Sequence, residues 1–406
     1  MQGTTAYAPF RHRAFAVLWG ATLLSNIGSW MHDVAAGWLM TTLAATPFMV
    51  ALVQAATTAP VFLLALPAGA LADLMDRRRL LIVVQSTMLV LAAILGVVVL
   101  RGAVTPALLL GFTLAIGCCT AVLSPTWQSI LPKLVPRADF PPAVALHSVG
   151  INVSRAIGPA LGGAIIVALG IAWPFFLNAV SFLAVIAALV WWKPPADPPP
   201  PAGTQPRPAE NYWRAIGSGL AHVRSSFSLR ATLARCLLFF FFGSAYWALL
   251  PLVAREHLHG GAPLYGLLVA CIGVGAVSGA LLLPKLRTSI GSDGVVLAGT
   301  VGTVLAMTAY ALATAPLLGL IASLIAGASW IAALSTLNVA AQLALPDWVR
   351  ARGMAMFSAV LYGSLAAGSV TWGQIANHAG LSTTLLIAAG GALACLALAR
   401  KLPLQH

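Results

Sequence analysis

Charge is what this sequence has least of. Of 406 residues, 22 are Lys or Arg and nine are Asp or Glu, 8% in all, where an average soluble domain carries roughly 25%. A water-soluble chain of this length could not cover its surface with that set, so an ordinary cytosolic enzyme is excluded. Disorder is excluded by the opposite property, since it requires low hydrophobicity and 60% of these residues are apolar. Cysteine is equally uninformative as a framework. Cys118, Cys119, Cys236, Cys271 and Cys395 fall in apolar stretches with no CxxC spacing, which suggests neither disulfides nor a metal site. Strand-like alternation is missing, which argues against a β-barrel. There is no phosphate-binding GxxxxGKS or GxxxxGKT loop and no soluble domain to carry one. No nucleotide or other cofactor is therefore expected, and the energy source should be an ion gradient.

What the chain does have is long apolar runs. A helix crossing the hydrocarbon needs about 20 such residues, and twelve stretches qualify: 14–40, 48–72, 80–100, 105–131, 142–169, 172–192, 231–254, 263–284, 294–313, 316–344, 353–376 and 381–399. The expectation is an all-α membrane protein of twelve spans. The first run follows Arg11 and Arg13 as a signal peptide would. It is longer than an h-region, contains His32 and Asp33, and reads as a retained first helix. Loops assigned alternately from a cytoplasmic N-terminus place 19 of the 22 basic residues on the cytoplasmic side. Only Arg101 and Arg255 fall outside, and Arg155 lies within a span. This is the positive-inside pattern, so both termini are read as cytoplasmic. The net charge of +13 is then a topology signal and gives no support to nucleic-acid binding.

One polar interruption divides the chain. Lys193 to Asn211 holds eight prolines and reads as a semi-rigid tether. Trp213, Ile216, Leu220, Val223 and Phe227 then recur at the spacing of an amphipathic helix on the membrane surface. The expected organisation is a six-helix bundle over 1–192, a linker over 193–229 and a second bundle over 230–406. The halves echo each other. Leu131-Pro132-Lys133-Leu134-Val135 is matched 214 residues later by Leu345-Pro346-Asp347-Trp348-Val349. Parallel repeats with a site between them are a transporter plan.

Two motifs point to a family. Gly69-Ala70-Leu71-Ala72-Asp73-Leu74-Met75-Asp76-Arg77-Arg78-Arg79 joins spans 2 and 3. Gly69 permits close helix approach, Asp73 and Asp76 suit a helix N-terminus, and the arginines hold the turn in the cytoplasm. The segment resembles the loop signature of the major facilitator superfamily, GxLaDRxGRRxxL, with Leu74 in place of its first arginine. Ser154-Arg155-Ala156-Ile157-Gly158-Pro159-Ala160-Leu161-Gly162-Gly163 resembles that superfamily's antiporter signature, gxxxGPxxGG, with Ser154 for the first glycine. Small residues here flatten one helix face and Pro159 bends the helix. The resemblance implies that this face packs on the other half and keeps a leak path shut. With Ser29 to Met40 and Gln54, the pattern is similar to the branch called transmembrane secretion effectors, which includes macrolide efflux proteins and the enterobactin exporter. It implies a proton-driven exporter.

A charged side chain at the centre of a membrane helix costs at least about 2.5–3.5 kcal/mol, which makes it a functional candidate. Two lie well inside spans: Asp33 and Arg155. Asp33 is expected to bind the transported proton, with Arg155 tuning it and His32 as relay; burial favours the neutral carboxylic acid and a nearby arginine the carboxylate. A static Asp33–Arg155 pair that only specifies packing is the alternative. The arginine of span 4 found in many antiporters of the superfamily is absent from 105–131. Asn26, Gln54, Gln128, Tyr246, Trp247, Asn338, Gln342 and Trp372 are candidate lining of a wide, amphipathic, nearly uncharged cavity. That suits a bulky lipophilic molecule, drug- or siderophore-like, exported across a bacterial inner membrane by a monomer whose partners are substrate, protons and lipid. Import or lipid movement by the same fold is the other reading. His32 and Asp33 point about 100° apart on a helix, a poor pair for an intramembrane enzyme.

Overall fold

A computed structural model describes residues 7–43, 46–194, 226–346 and 349–399. Residues 195–225, which hold most of the proline-rich tether and of the amphipathic segment, lie outside the described residues, as do Asp347 and Trp348; Phe227, the last residue of the amphipathic pattern, opens a helix instead. Within them the secondary structure is helical, with no strand. The helices are α1 (Arg13–Leu43), α2 (Pro47–Leu74), α3 (Arg77–Leu100), α4 (Pro106–Ile130), α5 (Phe140–Leu169), α6 (Trp173–Trp191), α7 (Phe227–Leu252), α8 (Ala262–Leu312), α9 (Pro316–Leu343), α10 (Arg350–Ala379) and α11 (Leu381–Ala399).

Local chemistry sets the boundaries. Asp76 caps α3 by accepting from the Arg79 amide at 2.8 Å. Thr105 caps α4, with Pro106 at the first helical position, where its missing N–H costs nothing. Ser226 caps α7 through the Leu229 amide at 3.3 Å. Gly170 and Gly380 end α5 and α10 at φ of 106° and 81°, values that favour glycine. They stand 210 residues apart, so both halves close the same helix with the same device.

Among the described residues ten helices are long and apolar enough to cross a membrane, and Leu381–Leu396 is a shorter apolar one, against the twelve runs expected. Expected spans 263–284 and 294–313 belong to the single 51-residue run α8, broken at Gly291 (φ 69°, ψ 174°). A straight helix of that length would be about 75 Å long, against about 30 Å of hydrocarbon. The packing shows that it folds back. A Cβ on Gly279 would meet Ala328 at 2.8 Å, and one on Gly299 the Ser329 carbonyl at 3.0 Å. Both arms thus flank the same stretch of α9, although 279 and 299 would stand about 30 Å apart on a straight rod.

The outer surface is apolar: Leu63, Val167, Leu281, Leu317 and Leu343 are each about two-thirds or more exposed. An exposed apolar band of this extent has the hydrocarbon as its solvent. Polar ties gather at one end of the bundle. His12 is within 2.8 Å of Asp139, and Arg78 donates to the Leu189 and Val190 carbonyls at 2.6 and 2.7 Å. In the C-terminal half, Arg287 donates to Ser335 and Thr336, and Arg235 is ion-paired with Asp293. The last pair was not legible in sequence: Arg235 lies buried two turns into α7, and its partner arrives through the turn at Gly291.

The halves meet through α5 against the first arm of α8, and α2 against α10. In each pair one helix is the second of its half and the other the fifth. The seams are built on small residues: a Cβ on Gly373 would meet Phe48 at 3.3 Å, and one on Gly363 would meet Phe62 at 3.0 Å.

Candidate functional site

The α5 motif has two faces with different work. Gly158 and Gly162 pack inside their own half, where an added Cβ would lie 2.9 Å from the Ile27 carbonyl or from the Met31 Cα of α1. Ser154 reinforces that contact by donating to the Leu23 carbonyl of α1 at 3.3 Å and to Gly150 at 2.9 Å. Gly163 faces the other half, with Ala262 O 2.6 Å and Pro263 Cα 2.9 Å from where its Cβ would stand. Proline has no N–H, so Pro159 leaves the Arg155 carbonyl without its helical donor. That carbonyl lies 2.7 Å from where a Cβ on Gly273 of α8 would sit, and the Pro159 carbonyl abuts Gly266. Residues 155, 159 and 163 thus descend along 273, 266 and 262–263. This is a seam of backbone on backbone that only small residues permit.

At the end of the bundle away from the His12–Asp139 tie, Arg255 donates to the Thr41 carbonyl of α1. It adds a charged hydrogen bond between the halves. It comes from the short π-helical turn Val253–His257 after α7, and sequence reading had it only as one of two basic residues on the outer side.

Asn26, Trp30, Asp33 and Gly37 form one stripe of α1, at intervals of four, three and four residues. Asp33 is accessible while its neighbours His32 and Val34 are buried. It makes no hydrogen bond or ion pair among the described residues. Its charge acts on the phenol of Tyr265 from α8, and Tyr265 Oη lies 2.9 Å from where a Cβ on Gly37 would be. Tyr265 also stacks on Trp38 at 6.4 Å. Asp33 therefore looks across to the other half.

Arg155 sits elsewhere. Its guanidinium lies over the Trp30 ring, 5.6 Å from the centroid, within electrostatic reach of Tyr246 on α7 and Tyr362 on α10. Its Nε is buried without a partner. The expected Asp33–Arg155 pair is not present among the described residues: Arg155 of α5 lies over the ring of Trp30, three residues before Asp33 on α1, but no ion pair joins the two. His32 turns away from both. Its ring meets Phe175 edge-on at 4.8 Å, and its buried Nδ1 has no partner.

The expected cavity residues divide. Asn26 and Gln54 are half-buried and Gln128 is exposed, with side-chain amides that meet no hydrogen-bond partner among the described residues. Gln342 donates to Asn338 at 2.6 Å, so those two satisfy each other one turn apart on α9. Trp247 is half-buried and meets Trp330 at 5.6 Å. Tyr246 is fully buried, between Trp247 and Tyr310. Trp372 is buried too, and its indole donates to the Phe241 carbonyl at 2.8 Å. Tyr246 and Trp372 are therefore packing residues and not exposed lining. Polar residues that sequence reading missed join α1 to α6: Asn178 is buried, with Ser181 at 3.3 Å and Ser29 at 3.5 Å from its Oδ1.

In the loop motif, Asp76 is the α3 cap and Arg78 holds the end of α6. Arg77 and Lys133 line a recess of about 290 Å³ with Asp76, Arg78 and Trp192. The side chains of Gly69 and Asp73 lie outside the described residues.

Residues 4–406 match the family described as transmembrane secretion effector. The chain is 26% identical over 273 residues to the staphyloferrin A transporter of Staphylococcus aureus (strain NCTC 8325 / PS 47), covering 67% of each. It is 28% identical over 332 residues to the enterobactin exporter EntS of Citrobacter koseri, covering 80% of this chain and 76% of that one. Among solved structures, the nucleoside transporter NupG superposes with a TM-score of 0.77 at 12% identity, over 96% of this chain and 99% of that one. A bacterial homologue of the human lysosomal transporter Spinster, inward-facing and unoccupied, gives 0.72 at 15% identity over 97% of each. At these identities the structures establish the fold.

Proposed function

The chain belongs to the transmembrane secretion effector family of the major facilitator superfamily, a multi-pass membrane transporter and not an enzyme, and from that premise we propose that it exports an amphipathic small molecule by proton antiport. The proposed site is the bacterial inner membrane, with twelve crossings and both termini cytoplasmic. Residues 1–192 and 230–406 act as two bodies that rock about the α2–α10 and α5–α8 seams. The substrate is drug- or siderophore-like, in keeping with the two relatives named for staphyloferrin A and enterobactin.

One observation carries the coupling: Asp33 is a carboxyl with no hydrogen bond or ion pair among the described residues, on the face of α1 turned toward Tyr265 of the other half. A group there loses one wall of its surroundings when the halves part, and its preference for the proton changes with the dielectric around it. His32 has no part in this scheme, because its ring is packed on Phe175. The Arg255–Thr41 bond and the glycine seam support a state closed at the outer end, with the substrate path open to the cytoplasm.

The test is ACMA fluorescence in everted vesicles energised by respiration. Addition of an exported compound dequenches the dye if protons move outward-for-inward with it. Silence across a broad amphipathic panel overturns antiport.

A further inference from the structure

Arg155 is a half-buried cation among aromatic rings, its Nε enclosed, and it makes no ion pair with a carboxylate among the described residues. Breaking or omitting the partner of a buried charge is costly, and an ionised side chain in a membrane helix marks a ligand path by default. Nothing in the packing of α5 requires the charge, because the seam uses Arg155 only through its carbonyl, against Gly273. Asp33, the acidic residue that lies well inside a span among the described residues, makes no ion pair with it.

What surrounds the guanidinium is a set of groups suited to a ligand. Trp30 supplies a flat apolar face beneath it, 5.6 Å from the charged carbon. Tyr362 brings a phenol from the opposite half and is half-buried rather than sealed. Asn26, one turn from Trp30 on the same stripe, adds an amide that has no hydrogen-bond partner among the described residues. Guanidinium, phenol and amide are all donors, and guanidinium binds carboxylate in a bidentate fork. The rings would hold a flat apolar body beside that anion.

Resting on the transporter reading above, we propose that Arg155 with Trp30 and Tyr362 forms the substrate subsite for an organic anion, a carboxylate or phenolate carried on an aromatic or otherwise flat apolar body. Because α1 and α5 come from one half and α10 from the other, such a ligand touches both bodies and feels their movement. The charge thus serves recognition, while Asp33 serves the proton.

The test is equilibrium binding to the purified full-length protein in detergent, read by tryptophan quenching with two matched probes, naphthalene-2-carboxylate and its uncharged carboxamide. The wild type should bind the carboxylate at least about tenfold more tightly, the scale of one charge-assisted contact. Arg155→Gln should bind both alike, at the amide's affinity, and Arg155→Lys should keep part of the preference. Unchanged amide binding reports that a variant is folded. If the glutamine variant does not fold, Trp30→Phe decides: the carboxylate-dependent part of the quench must vanish. Equal affinity for the two probes in the wild type, binding of neither, full preference in Arg155→Gln or an undiminished quench in Trp30→Phe overturns the subsite. Antiport is read separately with the ACMA assay and a neutral amphipathic compound. Export there without a carboxylate preference sinks only this inference, whereas silence there with the preference intact sinks only the antiport.

Discussion

Asp33 and Arg155, the two charges set deepest along their helices, do not pair. Arg155 lies on the ring of Trp30, three residues before Asp33 on α1, and the carboxyl faces Tyr265 instead. Each is left open toward the space between the halves. A salt bridge would have neutralised both and left little for a proton or a substrate to change.

The repeat makes the asymmetry plain. Gly158 of α5 abuts Ile27 and Trp30 of α1, and Gly368 of α10 abuts Phe241 and Ser244 of α7. Matching those contacts sets His32 and Asp33 opposite Tyr246 and Trp247, and Arg155 opposite Leu365. The N-terminal half holds the charges at this level, and the C-terminal half presents aromatic and aliphatic groups.

Asp33→Asn should abolish proton movement while leaving the fold intact, because the carboxyl makes no hydrogen bond or ion pair to lose among the described residues. In proteoliposomes, substrate-dependent collapse of an imposed pH gradient should fall to the rate of empty vesicles. Retained coupling would remove Asp33 from the mechanism.

His32→Phe is expected to keep proton coupling within about twofold, since the ring's described contact is apolar, with Phe175 at 4.8 Å. A loss of coupling as deep as that of Asp33→Asn would restore His32 as a relay.

Gly266→Leu should wedge the α5–α8 seam, because its side chain would run into the Pro159 carbonyl, which is backbone and cannot turn aside. Overpacking of this kind costs about 1–3 kcal/mol. The expected result is a lower melting temperature, with faster labelling by a membrane-impermeant maleimide of a cysteine placed at Gly37.

Arg255→Gln removes the charged donor to the Thr41 carbonyl. The same Gly37 cysteine should become more reactive from the outer side, without the large stability loss of the glycine variant. Unchanged reactivity would show that the glycine seam alone closes that end.

Trp372→Phe should cost stability and leave substrate affinity alone. It removes one of two side-chain donors to the Phe241 carbonyl, the other being Ser244 Oγ at 2.7 Å, and the net loss of one such hydrogen bond costs about 0.5–1.5 kcal/mol. A changed KM with an unchanged melting temperature would return Trp372 to the cavity.

Residue chemistry read along the chain was enough for the helices, because hydrocarbon solvent demands long apolar runs whose ends are marked by Pro, Gly, Thr and Asp. Runs such as 105–131 and 316–344 match α4 and α9 to within one residue. The join at Gly291 was not legible, since it depends on one φ angle. The GPxxGG motif was visible as small residues, but its division between α1 and α8 was not: which glycine meets which neighbour is a matter of rotation about the helix. Tyr246 and Trp372 looked like polar lining because a type of side chain does not state its direction.

The scarcity of charge determined by itself that this is a membrane protein, and the two deep charges that should matter. Only the tertiary structure decided that they stand apart, because a contact between α1 and α5 fixes the separation and facing of side chains that lie 122 residues apart in the chain. Burial within one helix is a local property written in composition. Partnership across helices is a property of their packing angle and rotation, and so the sequence pointed to Asp33 and Arg155 while the fold gave them different neighbours.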